Sequence, residues 1–361
     1  MKYLSEFRDP RLAEALVRRI RTRRLPHPPR LMEFCGGHTV SIFKFGLREL
    51  LDGYVELVSG PGCPVCVTAN PDIDRAIAMA GVKDVILTTF GDMLRVPGSH
   101  YSLSQAKAEG ADVRIVYSTL EALDIARKVP DRPVVFLGIG FETTAPTIAA
   151  SVLTAEAEGL DNYFVYSLHK LCPPVLHAIL DSGDINLAGL ICPGHVSAII
   201  GAQAWQPFAD DFGIPCVVSG FEPTDILQCV DWLSAQVESG LSTVEIAYNR
   251  LVTRPGNVTA QQLLSQVFKP GPANWRGIGP IPESGLVFRK KYQRFDAEMI
   301  FQVAPGPAVE PKGCLCGDIL RGVKTPHDCG LFGKVCTPLD PVGPCMVSSE
   351  GSCAAYYHYA R

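Results

Sequence analysis

The chain has 361 residues, too many for one ordinary hydrophobic core, so we expect two or three domains. Hydrophobic residues make up 47% of it and charged residues 19%, which is typical of a folded α/β protein. The net charge of −4 leaves no large basic face, which argues against nucleic acid as a partner. No run of 18 apolar residues and no secretory signal is present, so we expect a cytoplasmic protein that does not enter the membrane.

The first predicted element is a helix over residues 9–24. Leu12, Leu16 and Ile20 recur at helical spacing and form its expected buried stripe. The basic run RRIRTRR at residues 18–24 is then the solvent-exposed face of that helix.

The segment EFCGGHT at residues 33–39 precedes an amphipathic helix, for which Thr39 is the predicted N-cap. Its two glycines allow a ligand to approach the backbone, and a helix N-terminus favours an anion such as the Cys35 thiolate. Cys35 and His38 together suit a soft or borderline metal ion. The alternative is a buried thiol beside a hydrogen-bonded histidine, and the pair alone does not decide between them.

The loop GPGCPVC at residues 60–66 places Cys63 and Cys66 three residues apart, directly before a helix that Asn70 is predicted to cap. Such a pair is either a redox couple or half of a zinc site. No second C-x-x-C exists to complete a zinc site, so a redox couple is the better interpretation.

Short apolar runs alternate with helical patterns between residues 54 and 250, which predicts parallel strands buried on both faces and joined by helices. The helical patterns cover about residues 71–80, 119–128, 145–157, 196–212 and 224–238. The predicted strands are YVELVS from Tyr54, DVILTTF from Asp84, VRIVYS from Val113, PVVFLGI from Pro133, NYFVYSL from Asn162, LAGLIC from Leu187 and PCVVSG from Pro215.

Two similar stretches suggest that this region contains two related modules. GFETTAP at residues 140–146 and GFEPTDI at residues 220–226 each follow a strand and open a helix. We therefore predict an α/β domain over residues 31–130, a second over 131–253, and a loop-rich third domain from residues 1–30 and 254–361.

Polar residues follow several predicted strands, where ligand sites gather in open α/β sheets. Asp92 lies in TFGDM, Glu142 in GIGFETT and His195 in CPGHVS. A dinucleotide site is not predicted, because Thr143 occupies the place of the third glycine in the fingerprint.

The tail contains six of the 13 cysteines within 40 residues, although it has little regular periodicity. In a reducing compartment, thiols this dense indicate metal or redox chemistry. Their wide spacing suits an iron–sulfur cluster better than zinc, which prefers close C-x-x-C pairs. They are Cys314, Cys316, Cys329, Cys336, Cys345 and Cys353.

The motifs, taken in order, resemble the HypD family of [NiFe]-hydrogenase maturation factors. They are FCGGHT, GPGCPVCVT, TFGDMLRVPG, GFETTAP, CPGHVS, GFEPTDIL and, in the tail, CTP and MVSSEGSCAAYY. The resemblance covers essentially the whole chain. It implies two α/β modules and a [4Fe-4S] cluster in the C-terminal domain.

The resemblance also implies a function and roles for residues. Together with a small HypC-type chaperone and a HypE-type cyanide donor, such a protein assembles Fe(CN)2CO. Cys35, supported by His38, would bind that iron, and Cys63 and Cys66 would exchange electrons with it. Asp92, Glu142 and His195 complete the expected catalytic set. Cluster ligands would be Cys329, Cys336, Cys353 and a first cysteine, for which the spacing selects Cys314 with Cys316 as the alternate.

Another class of function remains open at this stage. An iron–sulfur oxidoreductase or lyase acting on a small metabolite would also use a cluster and a dithiol. It would require a substrate pocket and turnover in isolation, which an assembly scaffold does not.

Overall fold

The structure is a computed structural model that describes residues 5–360. Its strands are β1 (Arg30–Glu33), β2 (Glu56–Ser59), β3 (Ile86–Thr89), β4 (Asp112–Ile115), β5 (Val134–Gly138), β6 (Tyr163–Ser167), β7 (Gly189–Pro193), β8 (Cys216–Ser219), β9 (Val244–Ile246), β10 (Phe268–Trp275) and β11 (Gly279–Phe288). All seven predicted strands are present. The sequence reading missed β1, β9, β10 and β11.

Two parallel sheets form the core, as expected for an α/β protein. One has the strand order β2-β1-β7-β8-β9 and the other β4-β3-β5-β6. Most of their residues are buried, because helices cover the sheets. The remaining two strands, β10 and β11, form an antiparallel hairpin.

The strands group differently from the predicted division at residue 130. The chain leaves the first sheet after β2, forms all of the second sheet, and returns to the first at β7, which pairs with β1. Residues 31–130 therefore contribute to both sheets. Local sequence patterns show where strands lie but not which strands pair, so the division could not be read from them.

The helices are α1 (Pro10–Arg21), α2 (Gly36–Lys44), α3 (Leu47–Leu51), α4 (Pro64–Val67), α5 (Asn70–Ala80), α6 (Leu103–Ala108), α7 (Thr119–Lys128), α8 (Ala145–Glu158), α9 (Cys172–Asp181), α10 (Gly194–Ile200), α11 (Gln206–Phe212), α12 (Pro223–Ser239), α13 (Val258–Val267), α14 (Ala297–Ile300), α15 (Cys316–Leu320), α16 (Pro344–Val347) and α17 (Ser352–Tyr359). Short 3₁₀ helices supplement them, including Gly91–Arg95 and Ala202–Trp205. None of the helices within residues 5–360 has the length and apolar character needed to span a bilayer.

Several helix predictions are confirmed with small changes. In α1, Leu16 and Ile20 are buried as predicted, but Leu12 is 46% exposed because the buried face is formed by Leu16, Val17 and Ile20. The predicted helix over residues 196–212 is interrupted at Gly201, whose φ is +82°. A Cβ there would lie 2.2 Å from the Arg254 carbonyl oxygen, so only glycine fits this approach.

The two GFE stretches occupy equivalent positions in the two sheets. GFETTAP lies between β5 and α8, and GFEPTDI lies between β8 and α12. Each therefore connects the carboxyl end of a central strand to a covering helix, in agreement with two modules of similar build.

Candidate functional site

Cys35 lies at the carboxyl end of β1, at the N-cap of α2. The helix begins at Gly36, so the prediction that Thr39 caps it is wrong. The Thr39 hydroxyl instead donates a hydrogen bond to the carboxylate of Glu33, within the first turns of the helix. Cys35 is partly exposed, whereas its neighbours on both sides are buried.

Glu33 is a buried carboxyl group beside Cys35 that the sequence reading did not select. Its Oε2 accepts the Cys35 amide at 3.2 Å, and its burial raises the pKa of this carboxyl to about 8. Burial also raises the pKa of the Cys35 thiol, to about 12, and the nearby Glu350 carboxylate adds to this effect. A bound cation would offset both effects and favour the thiolate.

His38 is fully buried in the first turns of α2. One ring nitrogen, Nε2, lies 2.9 Å from the Gly220 carbonyl oxygen, while Nδ1 has no hydrogen-bond partner among residues 5–360. Burial lowers the pKa of His38 to about 4, so its ring is neutral at pH 7 and retains a lone pair. The ring stacks on Phe221 with centroids 4.5 Å apart, and the exposed His195 ring also stacks on Phe221, at 4.0 Å. Phe221 thus contacts both histidines that were predicted as site residues.

Cys63 and Cys66 form a disulfide at the start of α4, with Cα atoms 5.2 Å apart. Cys63 is the N-cap, and its Sγ accepts the Cys66 amide at 3.2 Å. Both side chains are buried, Cys66 completely. The prediction that these residues form a pair is therefore confirmed by geometry, while their electron-transfer role stays a prediction. The N-cap of the following helix is Ala69 and not Asn70.

The disulfide loop and the Cys35 segment are in direct backbone contact. The Gly36 amide donates to the Gly62 carbonyl oxygen at 3.1 Å. A Cβ on Gly62 would lie only 2.4 Å from the Cys35 nitrogen, so this approach requires glycine. The structure therefore brings together two motifs, at residues 33–39 and 60–66, that have 20 residues between them in the sequence.

Two further predicted residues, Asp92 and Glu142, are connected to the same site through other residues. Asp92 is exposed in the 3₁₀ helix Gly91–Arg95 and acts electrostatically on Glu350, whose backbone packs against Gly36. Glu142 is buried, and its Oε1 accepts the Cys172 amide at 2.8 Å. Burial raises the pKa of Glu142 to about 6.

Cys172 and Glu350 are site residues that the sequence reading did not select. Cys172 is completely buried at the start of α9, and its neighbours include Glu142 and Cys35. Glu350 lies in the tail motif MVSSEGSCAAYY, so its presence in a quoted motif was the only signal. Nothing in the segment HKLCPP distinguishes Cys172 from a core residue.

The six tail cysteines line one cavity, together with Leu331, Phe332 and Met346. Cys316 and Cys345 have sulfur atoms 3.0 Å apart, and the Val342 amide donates to the Cys336 sulfur at 3.4 Å. Cys314 is half-buried, whereas the other five are buried. The same continuous hydrophobic cluster contains these thiols and the Cys63–Cys66 disulfide.

Across residues 5–360, no three His, Cys, Asp or Glu side chains are arranged to hold a single metal ion. A cubane cluster makes a different demand, because each of its irons takes one protein thiolate and the four sulfur atoms stay apart. Soft sulfur donors around an apolar cavity, with a backbone amide directed at one sulfur, fit such a group.

Comparisons with known proteins agree with these observations. A family model described as "HypD: Hydrogenase formation hypA family" matches residues 11–360. The hydrogenase maturation factor HypD of Cupriavidus necator is 47% identical over 370 aligned residues, covering 100% of this chain and 98% of that protein. The corresponding factor of Azotobacter vinelandii is also 47% identical, and that of Escherichia coli K12 is 45% identical, with 100% of this chain covered in both cases. The similarity includes both sheets and the cysteine-rich tail.

Proposed function

We propose, from the premise that the chain belongs to the HypD family and is a hydrogenase maturation factor, that it is a redox-active scaffold for assembling Fe(CN)2CO. A small HypC-type chaperone and a HypE-type cyanide donor would be its partners. The observation that carries the proposal is the contact between a partly exposed thiol, Cys35, and the loop of a buried disulfide.

The iron under assembly is the substrate, and Cys35 with His38 would bind it. Ferrous iron accepts thiolate and imidazole ligands. His38 is neutral, and no described residue hydrogen-bonds to its Nδ1, so the ring has a lone pair available. Partial exposure of Cys35 supports an iron shared with a cysteine of the chaperone.

The Cys63–Cys66 pair would supply electrons to that site. When the reduced dithiol closes to the disulfide, one S–S bond forms and two electrons and two protons are released. Two electrons are needed to release one cyanide anion from an electrophilic cyano donor. Reopening the disulfide consumes two electrons, which must arrive from elsewhere in the protein.

The tail cavity would hold the source of those electrons. A [4Fe-4S] cluster bound there would supply electrons one at a time. Cys329, Cys336 and Cys353 would be three ligands, as the resemblance implies. For the first ligand we propose Cys314, which the spacing of the tail cysteines selects and which lines the cavity, with Cys316 as the alternate. The Cys316 sulfur lies 3.0 Å from that of Cys345.

Glu142, Asp92 and His195 would act around the iron. A carboxyl whose pKa is about 6 can hold and release a proton near neutral pH, and Glu142 lies beside Cys172, a neighbour of Cys35. Asp92 and His195 are both exposed, which suits contacts with a bound partner.

Infrared spectroscopy of the protein, purified anaerobically with its chaperone partner, tests this proposal. We expect CN and CO stretching bands from the wild-type complex. Cys35→Ala should lose these bands and the bound iron but keep the tail cluster. Cys229→Ala, which removes a thiol buried in the core, should keep both and is the control. An iron-loaded wild-type complex without CN and CO bands would contradict the scaffold role, and bands in Cys35→Ala would contradict the ligand assignment.

A further inference from the structure

The tip of the β10–β11 hairpin is joined to the disulfide segment. Trp275, the last residue of β10, forms an antiparallel bridge with Thr68. The next residue, Arg276, donates its amide hydrogen to the Val67 carbonyl oxygen at 2.9 Å. Val67 is the last residue of α4, the helix that contains Cys66. The hairpin tip is therefore hydrogen-bonded, through its backbone, to the residues that directly follow the disulfide.

The same tip also contacts the thiol cavity. A Cβ on Gly277 would lie 2.2 Å from the Gly317 Cα, so the two backbones touch. Gly277 has a φ of +70°, which favours glycine independently of this contact. Gly317 follows Cys316 directly in α15. The hairpin tip is thus placed between the disulfide and the tail cysteines.

Arg276 places a buried positive charge at this junction. Its side chain is 2% exposed, and its Nε donates to the Thr68 carbonyl oxygen at 2.8 Å. Its Nη1 lies 3.7 Å from Glu310, whose side chain is 61% exposed, and Nη2 has no hydrogen-bond partner in the described part of the chain. A buried cation with so little compensation is costly unless another anion balances it. The charge also acts on the sulfur of Cys316, on the far side of the junction.

We propose that Arg276 is a positioning residue that stabilises the reduced form of the Cys63–Cys66 couple. This inference rests on the redox role proposed for that pair. Reduction breaks one S–S bond and adds two electrons, which leaves two sulfur atoms that carry negative charge until they are protonated. The disulfide itself is neutral. A fixed cation next to the segment stabilises a thiolate of the reduced pair and therefore favours the reduced pair over the disulfide.

The expected size follows from the Coulomb energy. Two unit charges roughly 10 Å apart, at an effective dielectric constant of about 20, change an equilibrium constant by about tenfold. For a two-electron couple, a tenfold change corresponds to about 30 mV. Removing the charge should therefore make the disulfide about tenfold harder to reduce.

The test is a redox titration of the full-length, anaerobically purified protein with its cofactor retained. Protein is equilibrated at pH 8 with mixtures of reduced and oxidised dithiothreitol, in which the dithiol loses two electrons as the protein disulfide gains them. Free thiols are then alkylated, and the peptide carrying Cys63 and Cys66 is quantified by mass spectrometry. The peptide readout does not depend on hydrogenase maturation.

Four variants separate charge from packing. Arg276→Gln should shift the midpoint about tenfold towards the disulfide, and Arg276→Lys should restore most of the shift. Glu310→Gln removes the exposed counter-charge and should shift the midpoint about twofold the other way. Lys312→Gln removes a positive charge from an exposed position and should leave the midpoint unchanged.

The outcomes distinguish this inference from the function on which it rests. If the wild-type pair does not titrate reversibly, the proposed redox role itself fails. If the wild type titrates but Arg276→Gln titrates at the same midpoint, the inference about Arg276 is wrong. If Arg276→Gln does not fold, the Glu310→Gln variant tests the inference instead. A Glu310→Gln midpoint that is unchanged, or that moves towards the disulfide, contradicts the electrostatic explanation.

Discussion

Gly62→Ala should separate the disulfide loop from Cys35. A Cβ on residue 62 would lie 2.4 Å from the Cys35 nitrogen and 2.5 Å from its Cα. These are backbone atoms and cannot rotate away as a side chain would. Because such contacts essentially never fall below 3.0 Å, the two segments must move apart by at least 0.6 Å, the difference between 3.0 and 2.4 Å.

Overpacking of this kind costs about 1–3 kcal/mol in a well-packed interior. The movement also strains the hydrogen bond between the Gly36 amide and the Gly62 carbonyl oxygen, which is now 3.1 Å long. We therefore expect a free energy of unfolding lower by about 1–3 kcal/mol. The CN and CO bands should also be weaker, because Cys35 and the disulfide would lie farther apart. The tail cluster should be retained.

Urea unfolding followed by tryptophan fluorescence measures the first effect, and infrared spectroscopy measures the second. Gly306→Ala is the matched control, because a Cβ there meets open space. It should be neutral or stabilise the protein by up to about 1 kcal/mol. If Gly62→Ala matches Gly306→Ala in both measurements, the close approach of the two segments has no importance for folding or function.

Two further predictions concern the buried acid and the tail. Burial raises the pKa of Glu142 from 4.5 to about 6, so the folded state retains the proton that the unfolded state loses. The contribution of Glu142 to stability should be fully present below pH 4.5 and be lost, by about 2 kcal/mol, as the pH rises through 6. The difference in free energy of unfolding between wild type and Glu142→Gln, measured by urea titration at each pH, should show this decline. In the tail, Cys314→Ser should lose most of the iron and the visible absorption of the cluster, whereas Cys316→Ser should keep most of both. The reverse result would make Cys316 the first ligand.

The sequence was sufficient to predict the fold class and most of its elements. Runs such as PVVFLGI are apolar on both faces, and this pattern needs no tertiary information to indicate a buried parallel strand. The hairpin β10–β11 was missed because Pro270, Pro272, Pro280 and Pro282 argue against strands. Proline is tolerated there because each strand of a two-stranded hairpin has a free edge.

The candidate site was predictable only as separate motifs. Spacing identified Cys63 and Cys66 as a pair and the tail cysteines as a group, since each lies within a short stretch. Contacts between motifs depend on strand pairing and on backbone approach at Gly62, Gly36 and Gly277, which no local pattern encodes. For the same reason, no sequence pattern marked Glu33 or Arg276 as a site residue, since only their burial in the structure distinguishes them.

The interleaving of the two sheets has a consequence for biosynthesis. Strand β1, which ends just before Cys35, pairs on one side with β7, and β7 is synthesised more than 150 residues later. Until then, β1 and β2 have an unpaired edge, and the second sheet can complete its own pairing first. The nascent chain therefore carries a Cys35 thiol without its final surroundings. A ribosome-bound fragment that ends before β7 should not acquire cyanide-ligated iron, because the start of assembly would then depend on the synthesis of β7.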